Sequence, residues 1–238
     1  MLEERGVATV ALGLVRPHME LTRGPRGLWV PFPLGRPLGE PDDAEFQKRV
    51  LRAALALLER PGGTPLLEDF PADAPSQQER PGWRPPFALP RAAGPGSPQG
   101  WSEALHAELA RVRPWWDKAK ARRGRSTVGV SGLAPEAWPA FAGAVLSGEL
   151  PPPPPPLPST ALALRFLADD LKAFYMEAAQ AEGVAPSIDQ INAWLFRETV
   201  AGHLLLALRA GAASSPDNAL KTAGGRFLVP AQWVPKEI

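Results

Sequence analysis

The chain has no cysteine in 238 residues. That excludes a disulfide framework, a thiolate metal site and a thiol nucleophile. Histidine is scarce, with three residues (His18, His106 and His203), and tyrosine occurs once. No Gly-x-Ser-x-Gly elbow accompanies the histidines, so a serine triad has no support. No Gly-x-Gly-x-x-Gly and no Walker sequence is present, which removes the usual nucleotide cradle. Charge of either sign is not in excess: the formal net charge is +1, too little for a nucleic-acid binder acting through bulk charge. Met1-Leu-Glu-Glu-Arg lacks an apolar signal core, and no window is long enough to span a membrane. The expectation is a cytoplasmic protein without nucleic-acid or membrane partners, and no cofactor is implied.

Proline is abundant, with 30 residues, and it clusters in the connections. Hydrophobic residues make 45% and charged residues 21%, the balance of a globular chain. Residues 7–15 are a nearly continuous apolar run, suited to a strand covered on both faces as in a parallel sheet. Residues 27–32 predict a second strand and residues 64–67 a short third. Between them, residues 43–59 predict a helix. Asp42 or Asp43 caps it, Glu45 favours its first turn, and Phe46, Val50, Ala54 and Leu57 recur at helical spacing. Pro61-Gly62-Gly63 ends it.

Residues 71–100 form a Pro/Gly-rich linker, expected to pack through Trp83 and Phe87. Residues 101–150 predict helices at 101–123 and 135–146, with a short strand at 126–130. Pro114 should kink or divide the first helix. The six prolines at 151–156 predict a stiff spacer over 151–158. Residues 159–238 predict a helical subdomain: a helix capped by Ser159, a second long one from 187 to about 209, and a short third stopped by Gly224-Gly225. The expected fold is therefore α/β. A small parallel α/β sheet domain occupies the N-terminus (1–70), followed by a mainly helical C-terminal part.

Two groups of residues could carry chemistry. In the first, Arg16, His18, Arg23, Arg26 and Arg36 are expected on a common rim: Arg16 and His18 follow the first strand, and Arg36 follows the second, between Gly35 and Gly39 in a loop with four prolines. Open α/β sheets bind ligands outside the carboxyl ends of their strands. Arginine forks carboxylate or phosphate, and glycine lets backbone amides approach the same anion. This group suits a small anionic ligand, with His18 as an acid or base. The competing reading is a solvated basic loop pinned by Glu40 and Asp42.

The second group is acidic. A continuous helix from 187 would place Glu198 in the middle of the apolar face of Ile191, Leu195, Gly202 and Leu205. Asp170 and Glu177 share one edge of the preceding helix, so the three carboxylates are expected to converge. A buried carboxylate must be paired, hydrogen-bonded, protonated or metal-bound. Lys172, Arg165 and Arg209 are candidate ion-pair partners. No pair of Glu-x-x-His sequences is present, so no metal is expected.

Gly6-Val-Ala-Thr-Val, Leu14-Val-Arg, and Arg26-Gly-Leu-Trp-Val-Pro-Phe-Pro-Leu-Gly-Arg-Pro-Leu-Gly-Glu-Pro-Asp with its following helix resemble the glycine/sarcosine/betaine reductase selenoprotein B family. That family includes the D-proline reductase subunit. The resemblance covers roughly residues 1–70 and is closest to short members. Ser126-Thr-Val-Gly-Val-Ser-Gly and Asp169-Asp-Leu-Lys-Ala-Phe-Tyr are similar to the same members. The resemblance implies an α/β scaffold with a reused loop. Family reductases attack through selenocysteine with cysteines nearby, and this chain has neither, so selenol or thiol chemistry transfers to no position here.

Two functions are expected from this. One is a noncatalytic or accessory subunit that contributes its scaffold to a complex with another subunit or a second copy. The first strand comes close to Met1, so an edge of a family-like sheet is missing: either a partner covers it, or the true start lies upstream, or the family's sheet is the wrong template. The other is an enzyme or binding protein holding a small carboxylate or amino-acid-derived ligand through Arg16 and Arg36.

Overall fold

Three strands, β1 (Ala11–Gly13), β2 (Arg26–Trp29) and β3 (Leu66–Asp69), form a parallel sheet in the order β1-β2-β3. Eight helices accompany it among the described residues: α1 (Arg16–Thr22), α2 (Ala44–Ala56), α3 (Pro98–Arg123), α4 (Trp138–Leu146), α5 (Thr160–Ala179), α6 (Ile188–Glu198), α7 (Val200–Ala213) and α8 (Asn218–Arg226). The structure is a computed structural model and describes residues 2–60, 65–74, 79–90, 94, 96–183 and 186–235. Pro61-Gly62-Gly63 and Thr64, the expected helix stop and strand start, lie outside the described residues. Met1–Pro81 with Pro186–Ile188 forms one compact unit, and Gly82–Ala185 with Asp189–Ile238 the other. The expected α/β organisation, sheet first and helices after, is present.

In the first unit one face of the sheet packs on α2. Leu28 and Val30 from the sheet side meet Phe46, Val50 and Ala54 from the helix, and Phe32, Phe46 and Phe70 pack tilted and edge to face. Asp43 caps α2 by accepting from the Phe46 amide at 2.9 Å, as its position predicts. β1 is shorter than the apolar run 7–15 suggests. The Val7 amide donates to the Leu2 carbonyl and the Thr9 amide to the Glu3 carboxylate, so a local turn takes donors that a longer ladder would need.

In the second unit α3 packs against α4, α5 and α7, and α8 against α5 and α7. Leu105, Val112, Leu164, Leu171, Phe174 and Leu204 are all buried there. The segments 101–150 and 159–238, separated in the sequence reading, share this one core. The proline run connects α4 to α5 inside the unit, and Thr160 Oγ1 donates back to the Pro151 carbonyl. Trp83 and Phe87 of the linker pack edge to face on Trp194, at 6.3 and 5.8 Å.

Three local expectations are corrected. Pro114 does not divide α3, which is one continuous helix to Arg123. Gly224 and Gly225 lie within α8 and do not stop it. The long helix from 187 breaks at Thr199. Thr199 Oγ1 donates to the Leu195 carbonyl, ending α6, and accepts from the Gly202 amide, starting α7. Gly202 has no Cβ, and the Leu195 carbonyl occupies the place one would take.

Candidate functional site

The carboxyl end of the sheet holds the first group. Arg16 opens α1 directly after β1. Its Nε donates to both oxygens of Asp69, at 3.1 and 3.3 Å, and its Nη1 pairs with Glu20. Asp69 ends β3, so the arginine ties the two edge strands at their carboxyl ends. The guanidinium also lies 6.0 Å from the centre of the Trp29 ring. Asp69 foremost, then Glu20, favours the charged arginine and raises its pKa. Arg16 is thus neutralised by the protein's own carboxylates.

The loop after β2 is two consecutive turns. The Arg36 amide donates to Pro33 O and the Gly39 amide to Arg36 O. Arg36 faces Glu40 at 3.8 Å and is exposed, as are His18 and Gly35. Gly39 has φ +87, and a Cβ there would overlap the Phe46 ring. Its amide is consumed within the loop and its surface is buried under the core ring, so it serves packing, not approach to an anion. Among the described residues no hydrogen bond or ion pair joins Arg16 or His18 to these turns. Arg26 is not on the rim at all. It is buried, donating to the Arg60 carbonyl at 3.1 and 2.9 Å and to Glu3 at 2.8 Å. Gly39→Ala should therefore destabilise the first unit by about 2 kcal/mol, from strain at positive φ plus displacement of Phe46. Urea unfolding followed by circular dichroism measures it. An unchanged midpoint would show that the ring does not hold this loop.

The acidic group resolves differently from its sequence reading. Asp170 and Glu177 are buried, but Glu198 is exposed at the end of α6 and does not join them. α6 ends at Glu198, so Gly202 and Leu205, which were expected to continue its apolar face beyond that residue, belong to a separate helix and do not enclose the carboxylate. Among the described residues none of the suggested cations pairs with it: Lys172 bonds Asp169, Arg165 lies over the Phe227 ring at 4.2 Å, and Arg209 bonds the Gly224 and Gly225 carbonyls.

Asp170 and Glu177 stand two turns apart on α5 and grip the loop 126–131. Asp170 accepts from the amides of Gly129, Val130 and Ser131 at 2.7–3.0 Å and from the Ser131 hydroxyl. Glu177 accepts from the Thr127 amide and hydroxyl, the Ser126 hydroxyl and the Trp116 indole. Burial pushes the Glu177 carboxyl up, but these donors outweigh it and hold the group below the usual range. Three successive amides converging on one carboxylate cannot alternate in direction as a strand requires. The expected strand at 126–130 is a loop for that reason.

The buried carboxylate that sequence reasoning missed is Glu108. It accepts from the Tyr175 hydroxyl at 2.7 Å and from the Val200 and Ala201 amides at 2.9 and 3.1 Å. It caps the first turn of α7, where helix amides are unpaired and a negative charge is favoured. Burial nevertheless raises its pKa, against the pull of those donors, and Tyr175 is raised well above its usual value by burial and by Glu108. The signal was present: Glu108 lies on the stripe of Leu105, Leu109 and Val112. All three buried carboxylates are satisfied by protein donors, so their chemistry is that of braces. No group of three or more His, Cys, Asp or Glu suited to a metal occurs among the described residues.

Comparison with known proteins gives no match to the chain, whether to family models, curated proteins or solved structures.

Proposed function

We propose that the chain is a noncatalytic, accessory subunit related to the glycine/proline reductase selenoprotein B family, contributing its N-terminal α/β scaffold to a complex. The observation that carries this reading is the open edge at β1. Parallel sheets are normally enclosed, and edges are covered or blunted. Among the described residues β1 has one neighbour, β2. Gly13 O accepts from Val30 N, which directs Gly13 to β2 and turns the backbone groups of Leu12 away from the sheet. Close to β1 in the sequence, Val7 is 51% exposed and Val15 38%, and Leu21 on α1 is 81% exposed. The lack of cysteine fits a subunit that leaves the chemistry to another chain.

The alternative, a carboxylate ligand held by Arg16 and Arg36, has less support. The first arginine is engaged by Asp69 and Glu20, and the Gly39 amide is spent inside its loop.

The test is co-expression with a cysteine- or selenocysteine-bearing subunit of such a reductase. Wild type is expected to co-elute with it in size-exclusion chromatography with light scattering. The Val7→Lys/Leu21→Lys variant, unchanged in melting temperature because both side chains are exposed, should elute alone. A wild-type chain that stays monomeric beside that subunit, or a variant that co-elutes equally well, would overturn the reading.

A further inference from the structure

The second unit contains an open cavity of about 830 Å3 that the scaffold reading does not use. Its wall is aromatic and fixed. Phe87 stands edge to face on Trp194, which also meets Trp83 at 6.3 Å and the buried Tyr175 ring at 6.1 Å, and Phe87 packs on Trp115 at 5.7 Å. Leu89 extends the apolar surface. These rings are held by the core of the unit, so the wall exists without a ligand.

The polar groups on the cavity are Arg84, Arg197 and Glu198. Arg84 Nη1 donates to the Trp83 carbonyl, and the Arg197 guanidinium lies 5.1 Å from the centre of the Trp233 ring. Stacking on an indole orients a guanidinium but leaves its in-plane donors free. Among the described residues neither arginine has a carboxylate partner, and Glu198 has no cation. This contrasts with Arg16, Arg26 and Arg113, each of which is paired with a carboxylate. Counted over the described residues, these two guanidiniums and one carboxylate leave the opening with an excess of one positive charge.

We infer that this cavity binds a small planar organic anion. Its ring would lie on Phe87 and Trp194 and its carboxylate on the forks of Arg84 and Arg197. The volume is within the range of drug-sized ligand sites, and an apolar wall with few polar groups is their usual make-up. Glu198 adds selectivity. It opposes a second negative charge, so a monoanion is favoured over a dianion of the same shape.

The experiment is isothermal titration calorimetry of the full chain with three probes sharing one ring: 2-naphthoate, 2-naphthalenemethanol and 2-naphthyl phosphate. Naphthoate should bind most tightly. Arg84→Gln and Arg197→Gln should each weaken it about tenfold while leaving the neutral alcohol unchanged. Glu198→Gln should strengthen the phosphate more than the carboxylate. All three sites are exposed, and thermal melting checks that each variant is folded. Absence of naphthoate binding, equal binding of naphthoate and the alcohol, or indifference to both arginine changes would overturn the inference.

Discussion

Asp170→Ala should destabilise the second unit by about 3 kcal/mol, because it strips a charged acceptor from four donors at once. Three of those donors are the successive amides of Gly129, Val130 and Ser131. The Ser131 side chain is fully buried, so its hydroxyl cannot turn to water without opening the loop. Asp170→Asn separates charge from size. The amide retains one acceptor oxygen, but its NH2 group faces amide donors, so its loss should approach that of alanine. Tryptophan fluorescence in urea is a suitable readout, since seven of the eight tryptophans lie in this unit and Trp29 alone lies in the other. An Asn variant within about 0.5 kcal/mol of wild type would show that the carboxylate does not hold the loop.

Glu108→Ala is the second large effect, about 3–4 kcal/mol in the same assay. It leaves the Tyr175 hydroxyl and the first amides of α7 without their acceptor in a dry interior. Glu108→Gln keeps an acceptor and should cost less. The pH dependence has a definite sign. Burial raises the Glu108 pKa above its ordinary 4.5 in the folded chain. The stability linked to its proton is fully present below 4.5 and is lost as pH rises through the raised value. The cost of the Gln substitution relative to wild type should therefore be greater at low pH and smaller at neutral pH. Glu177 has the opposite sign. Its pKa is lowered, so its contribution is present above 4.5 and lost as pH falls. A Gln penalty at 108 that grows toward neutral pH would contradict the assignment of burial as the dominant influence there.

Patterning in the sequence was sufficient for the sheet-then-helix order and for α2, because the relevant signals are local. The Asp43 cap, the spacing of Phe46, Val50 and Ala54, and the apolar strand runs all act within a few residues. The Thr199 break was not legible, because it depends on a hydroxyl that serves two helices and on a glycine packed against a carbonyl of the previous one. That single break separated Gly202 and Leu205 from the helix of Glu198, so the continuous apolar face expected around it does not form. The same stripe argument applied to α3 would have found Glu108 between Leu105 and Val112. At the rim, Arg16 was placed correctly in the chain, but its neutralisation by Asp69 comes from a residue 53 positions away. Such pairing cannot be seen before the sheet is assembled.

The loop 126–131 owes its shape to a helix that follows it. Its amides and hydroxyls find their acceptors 39 to 51 residues later, beyond α4 and the proline run. On a ribosome this means that residues 126–131 emerge before either carboxylate that organises them. A nascent chain ending at the prolines carries α3 and α4 but an unorganised loop between them, and Trp116 has no acceptor for its indole. The second unit thus cannot be completed from its N-terminal end. It closes only when α5 has been made and delivers Asp170 and Glu177 together.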